Sequence, residues 1–156
     1  MSKPDKTNVM RILDQKKIPY TPHYYDPQIT EGIHVAAALG ENPDRVFKTL
    51  VTEAAGRRYF VFVIPVAATL DLKKAAAAVG VKALAMLKQK ELLPLTGYIH
   101  GGCSPVGMKK AFPTVFHTTA TDTVFVSAGR VGAQIEVDAA ALAALVRATR
   151  TNLIVE

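Results

Sequence analysis

The stretch that most constrains the fold is a pair of β-type runs separated by a short turn. Val46 to Thr52 and Tyr59 to Val66 are rich in β-branched and aromatic residues, and Ala54-Ala55-Gly56-Arg57 between them reads as a hairpin turn. Thr114 to His117, Thr123 to Ser127 and Gln134 to Val137 read as further strands, the last two joined by Ala128-Gly129-Arg130-Val131-Gly132. Tyr20 to Tyr25 is extended but interrupted by Pro22, which suits a sheet edge because proline donates no ladder hydrogen bond. Short strands over Ala83 to Met86 and Leu153 to Val155, with an extended Gly97 to His100, complete the β pattern.

Helices are expected between these runs. The first starts near Thr7, with Asp5 or Thr7 as its cap; Val9, Ile12, Leu13 and Lys16 follow at helical spacing until Pro19 bars continuation. Gly32 to Leu39 ends at Gly40, which suits a left-handed C-cap. Asp71 caps a helix to Val79 closed by Gly80, a short helix covers Lys88 to Leu93, and Asp138 caps a last helix to Arg147. The alanine tracts Ala75 to Ala78 and Ala139 to Ala144 fall inside these helical patterns. Many strands, several hairpins and scattered helices imply an α+β fold with a mixed β-sheet. A length of 156 residues fits one domain, 1–156.

Composition narrows the class. Hydrophobic residues make up 49% and mean hydropathy is +0.17, enough for a buried core. Cys103 stands alone, which excludes an internal disulfide framework and suits a reducing compartment. The N-terminal MSKPDKTNVMRIL lacks an apolar run with a cleavage site, and the apolar runs elsewhere are too short or interrupted to span a bilayer. A cytoplasmic address without membrane partners is expected. The net charge of +6 favours polyanionic partners, although many proteins are this basic for solubility alone.

Few residues stand out for chemistry. Lys48 shares a strand face with Val46 and Leu50, so its ammonium can sit at the rim of a pocket and grip a phosphate, or it can snorkel from a sheet edge. Gly101-Gly102 followed by Ser104-Pro105 can aim backbone N–H groups at an oxyanion, or can simply form a tight turn. Cys103 follows His100 by three residues, which in an extended segment points the two side chains to opposite faces. A buried small hydrophobe is the alternative to a thiol nucleophile there. His23, His34, His100 and His117 fall at no metal-ligand spacing, so neither metal nor cofactor is expected. Lys73-Lys74, Lys109-Lys110, Arg147 and Arg150 form either an electropositive footprint or solvated faces.

Several stretches in order resemble the YbaK/EbsC family, free-standing relatives of the editing domain inserted in bacterial prolyl-tRNA synthetases. They are RVFKTLV (Arg45 to Val51), LDLKKAA (Leu70 to Ala76), GYIHGGCSPVGMKK (Gly97 to Lys110) and VFVSAGRVGAQIEV (Val124 to Val137), with IPYTPHYYDP near the start. The resemblance implies a mixed sheet curled into a barrel-like body with flanking helices. It implies deacylation of mischarged tRNA, most often Cys-tRNA(Pro), with the acceptor end of aminoacyl-tRNA as substrate and prolyl-tRNA synthetase as a candidate partner. Carried onto this chain, the essential lysine is Lys48, and Thr49 lines the same site. Tyr25 matches the tyrosine of the YDP stretch; Gly101, Gly102, Ser104 and Pro105 match the GGxSP loop; Ser127, Gly129 and Gly132 match the VSxGxxG turn. Two departures are Cys103, where relatives often have isoleucine, and AGRVG in place of GGKRG, which leaves Arg130 as the single basic residue of that turn.

The expected mechanism uses no protein nucleophile. The substrate cysteine thiol attacks its own carbonyl, and backbone N–H groups of Gly101 and Gly102 stabilise the oxyanion. Lys48 holds the phosphate or ribose of the terminal adenosine, while Tyr25 and Ser127 position the ester. Competing readings are a water-using Ala-tRNA(Pro) deacylase, a non-catalytic tRNA- or synthetase-binding module, and a Cys103 thiol enzyme.

Overall fold

The computed structural model describes residues 5–156. Its framework grows from the hairpin. Strands β2 (Phe47–Ala54) and β3 (Arg58–Pro65) pair antiparallel from Phe47–Pro65 to Ala54–Arg58. β5 (Thr114–His117) joins β3 in parallel, and β8 (Thr149–Thr151) joins β5 in parallel. The short β4 (Ala85–Met86) covers only Thr52 and Glu53 on the other edge of β2. This five-stranded sheet, in order β4-β2-β3-β5-β8, is mixed.

β1 (Tyr20–Tyr24), β7 (Ala133–Asp138) and β6 (Thr123–Arg130) form a three-stranded antiparallel sheet with β1 at its edge, where Pro22 needs no ladder donor. An isolated parallel bridge between Val46 and Phe125 joins the two sheets. Arg45 reinforces the joint by donating to the carbonyls of Thr119, Thr121 and Thr123. The strands thus form two sheets meeting at this point.

Alternation explains why β3 is apolar along nearly its whole length. Val61 and Val63 face one core with Phe47, Val51 and Phe116; Val124, Val126, Ile135 and Val137 meet them from the smaller sheet. Helix α1 (Asn8–Gln15) adds Val9, Met10 and Leu13 to this core, and α5 (Ala139–Val146) adds Ala139 and Leu142. Phe60, Phe62 and Ile64 face the opposite way, onto Ala75 and Ala76 of α3 (Leu72–Val79) and onto Leu153. A third, smaller cluster places Ala36 of α2 (Gly32–Leu39) over Val46, Val66 and Phe125. Among the described residues no helix is long and apolar enough to cross a membrane.

The helix ends follow local chemistry. Thr7 Oγ1 accepts from Met10 N, Asp71 accepts from Lys73 N and Lys74 N, and Asp138 accepts from Ala141 N. Gly40 and Gly80 close α2 and α3 in the left-handed region.

Three segments differ from expectation. α4 (Gln89–Thr96) runs past Leu93 because Gly97, at φ +88°, is its stop, and Pro94 is carried inside it. Gly97 to His100 is therefore a helix cap and turn, not a strand. The last strand is Thr149–Thr151: the Asn152 side chain accepts from Ile154 N and Leu153 N donates to His117 Nδ1, which takes Leu153 out of a ladder. Ile154 retains only a bridge to Leu70. β6 also runs beyond Ser127 to Arg130, with a bulge between Ser127 and Arg130.

Candidate active site

The parallel bridge between the sheets sets up the site. Two residues beyond Val46 and Phe125, on the same face of the joined strands, stand Lys48 and Ser127. Gln134 lies directly across β7 from Ser127. Lys48, Ser127 and Gln134 thus form a row on the face opposite the main core.

β2 and β6 part company here, and the fork leaves one edge of β2 bare. Val46 O accepts from Val66 N on the β3 side, whereas Val51 O accepts from Leu87 N on the other side. Carbonyl directions alternate along a strand, so the Thr49 carbonyl points as that of Val51 does, toward the bare edge. A cavity of about 360 Å³ fills the fork. Its walls include Lys48, Thr49, Ser127 and Gln134, the segment Thr30 to Ile33 leading into α2, and Gly101 with Cys103 from the loop after α4. A bare strand edge explains how adjacent residues Lys48 and Thr49 both reach one cavity from opposite faces of β2.

The electrostatics are simple. Lys48 is half-buried and has no ion-pair partner among the described residues; burial lowers its pKa from the ordinary lysine value. Ser127 Oγ accepts from Gly129 N, so its own proton remains available for donation. Thr49 Oγ1 and Gln134 Oε1 are buried without a hydrogen-bond partner among the described residues, although the two residues are only 9% and 5% exposed. Cys103 lies in the wall, but burial pushes its thiol up to about 12, which keeps it protonated and poorly nucleophilic at neutral pH. Among the described residues no cluster of three His, Cys, Asp or Glu side chains offers a metal seat.

The sequence-derived residues divide into two groups. Lys48, Thr49, Gly101 and Ser127 meet at the cavity. Tyr25, Gly102, Ser104, Pro105, Gly129 and Arg130 do not line it. Gly102 needs the clearest correction, because its N–H already donates to Ile99 O and cannot serve a substrate oxyanion. Its lack of a side chain serves close packing instead: a Cβ there would lie 2.9 Å from Val131 N, on the turn between β6 and β7. Of the two glycines, Gly101 at φ +87° remains on the cavity wall, and its N–H has no acceptor among the described residues.

Ser104 is fully buried, and its Oγ accepts from Val106 N, so it shapes the loop. Pro105 faces a separate cavity of about 320 Å³ beside Ile12 and Phe112. Gly129, at φ +97°, packs against Val9 and Tyr98. Arg130 donates to Asp5 O and lies 6.0 Å above the Tyr24 ring. Tyr25 N donates to Gly132 O, while its buried hydroxyl has no partner among the described residues. Gln134 escapes sequence reasoning altogether. As a polar residue alternating with Ala133 and Ile135 it reads as solvent-facing, and no local signal shows that the fork covers it.

Residues 26–145 match the aminoacyl-tRNA editing domain family. A protein of Enterococcus faecalis (strain ATCC 700802 / V583), provisionally named the Cys-tRNA(Pro)/Cys-tRNA(Cys) deacylase EbsC, is 44% identical over 144 residues, covering 90% of this chain and 88% of the relative. The fold is shared with a solved structure described provisionally as a trans-editing enzyme for prolyl tRNA synthetase (TM-score 0.82, 23% identity, 95% of each chain). It is shared too with the hypothetical protein APE2540 (TM-score 0.85, 21% identity, 93% of this chain and 97% of that one). The match over 26–145 and the identity along nearly the whole chain agree with the fork that brings Lys48, Gly101 and Ser127 together: this chain belongs to the aminoacyl-tRNA editing domain family.

Proposed function

We infer that the protein is an aminoacyl-tRNA deacylase that removes cysteine from mischarged Cys-tRNA(Pro) in trans, and that the whole chain, 1–156, acts as one such domain in the cytoplasm. The observation that carries this reading is the half-buried Lys48, without an ion-pair partner among the described residues, sharing a cavity with Gly101 and Ser127 in a chain 44% identical to a relative named for that activity. The barrel-like body would arise from the two sheets curling toward each other about the Val46–Phe125 joint. Prolyl-tRNA synthetase is the partner that would supply the mischarged tRNA.

Each group has a task. Lys48 holds the terminal phosphate or ribose as a point charge. The hydroxyl proton of Ser127 and the N–H of Gly101 face the ester carbonyl and stabilise the charge that develops on its oxygen. Arg130, at the surface, contributes to holding the RNA strand, and Tyr25 braces the Gly132 turn. The substrate sulfur forms a bond to its own carbonyl carbon, the ester C–O bond breaks, and the thiol proton passes to the departing ribose oxygen. The product is a four-membered cyclic thioester. Its strain is offset by the high effective concentration of an intramolecular nucleophile.

Single-turnover deacylation tests this. Lys48→Ala is expected to abolish most Cys-tRNA(Pro) cleavage, and Ser-tRNA(Pro), which lacks the thiol, is expected to be cleaved far more slowly. Equal rates for the serine and cysteine esters would overturn the thiol step. Faster cleavage of Ala-tRNA(Pro) would assign water as the nucleophile, and salt-dependent binding without turnover would identify a non-catalytic module.

A further inference from the structure

We propose that His117 and the segment 152–155 form an acid-released latch: the neutral imidazole holds the segment against α3, and adding a proton to the ring frees it. The latch lies outside the Lys48 cavity and does not depend on the deacylase reading. Its basis is a hydrogen bond whose direction is fixed. Leu153 N lies 3.1 Å from His117 Nδ1. A backbone N–H can only donate, so Nδ1 is unprotonated and the neutral ring carries its proton on Nε2. Charging the ring would place a second N–H at Nδ1, facing that of Leu153. Neither group can turn to water while the segment stays in place, because His117 is 4% exposed and Leu153 fully buried.

This bond stands where the chain leaves the sheet for α3. β8 ends at Thr151, paired with His117, and the next residues bind the approach to the helix. Leu153 O accepts from Asp71 N at 2.8 Å, Thr69 O accepts from Val155 N at 2.9 Å, and Ile154 O accepts from Lys74 Nζ at 2.7 Å. Leu153 itself packs in the cluster of Phe62 and Ile64 beneath α3. The charged groups around the ring are Lys74 of α3 and Glu156, 3.4 Å apart, with Arg150 on β8 one residue before Thr151. β3, the other neighbour of β5, presents Val61, Phe62 and Val63. Burial lowers the His117 pKa from 6.5, and Lys74 lowers it further against an opposing pull from Glu156. Hydrogen bonds from Asn152 and Lys74 hold the Glu156 carboxyl below 4.5, so it stays charged just below pH 6.5. Since the folded value lies below the open one, the open segment binds more protons. Closure is therefore complete above about pH 6.5 and weakens as pH falls from there through the folded value.

Amide hydrogen exchange, corrected for intrinsic rates, and imidazole nitrogen chemical shifts test the latch in the full chain between about pH 5 and 8. Above about pH 6.5 the ring is expected in its Nε2–H form; below it, protection of the Leu153, Asp71 and Val155 amides is expected to fall by up to about 10-fold per pH unit. Protection of Val126 and Ile135, paired across β6 and β7, should stay constant over the same range. His117→Asn sets a non-titrating acceptor near the place of Nδ1 and should keep the three amides protected without that pH dependence. His117→Phe keeps a ring but no acceptor, and should leave them poorly protected at every pH. An Nδ1–H ring at neutral pH would overturn the latch, as would protection independent of pH in the native protein. So would a His117→Asn variant with the full native pH dependence. Equal loss of protection at Val126 and Ile135 would mean that acid opens the whole fold, and would overturn a local release.

Discussion

A lysine whose ammonium is partly stripped of water holds its proton less firmly, and a bound phosphate reverses that effect by supplying the missing counter-charge. Lys48 is in this state: burial lowers its pKa below 10.5 and no carboxylate among the described residues pairs with it. Affinity for an uncharged-tRNA 3′ end, read with a CCA oligonucleotide, is therefore expected to fall as pH rises through the depressed pKa. Lys48→Arg should flatten that dependence, because a guanidinium stays charged throughout. A profile unchanged by the substitution would remove Lys48 from the phosphate contact. The lysine itself stands out in the sequence by its place between Val46 and Leu50, whereas Gln134 does not, because its burial comes from segments distant along the chain.

Among the elements, the fork between β2 and β6 decides where the site lies. A single bridge, Val46–Phe125, aligns the two strands, and Arg45 secures it by donating to three carbonyls of the loop entering β6. Arg45→Ala is expected to destabilise the fold by about 0.5–1.5 kcal/mol, because it removes hydrogen bonds to one part-buried carbonyl, that of Thr121, and to two exposed ones. It should also lower kcat/KM, since Lys48 and Ser127 depend on that alignment. Arg45→Lys should recover little of either, as a point charge cannot reproduce a fork of donors. Urea midpoints and single-turnover rates measure the two effects, and a fully active Arg45→Ala variant would show that the bridge is secured elsewhere. The helix caps at Thr7, Asp71 and Asp138 were readable in advance because each satisfies donors within three residues. The end of α4 was not: Pro94 looks like a stop, yet Gly97 provides the left-handed cap and Pro94 is tolerated before it.

At the scale of the whole molecule, the main core holds two protonated groups that water would ionise more readily. Burial pushes both Tyr98 and Cys103 up to about 12, from 10.0 and 9.0. With folded pKa values above unfolded ones, the folded state binds more protons between about pH 9 and 12. Stability is then complete below that window and is lost as pH rises through it, by at most about 1.4 kcal/mol per pH unit for each group. Urea unfolding at a series of alkaline pH values should show this decline, and Cys103→Ala should make it shallower from about pH 9 upward. An unchanged slope would mean that the thiol is not held protonated in the folded protein. Elements with local signals are legible along the chain: the hairpin from its apolar runs and turn, and the capped helices from their caps and glycine stops; the strand pattern around Lys48 left a pocket rim and a sheet edge both open, and the family resemblance singled it out. Three features depend on the folded chain: Gln134 lines a cavity, Gly102 packs against the β6–β7 turn with its N–H given to Ile99 O, and the last strand is Thr149–Thr151. Strand alternation sorts side chains between two faces, but which neighbour covers each face, and where two strands separate, depends on contacts between segments far apart along the chain, such as Val46 with Phe125.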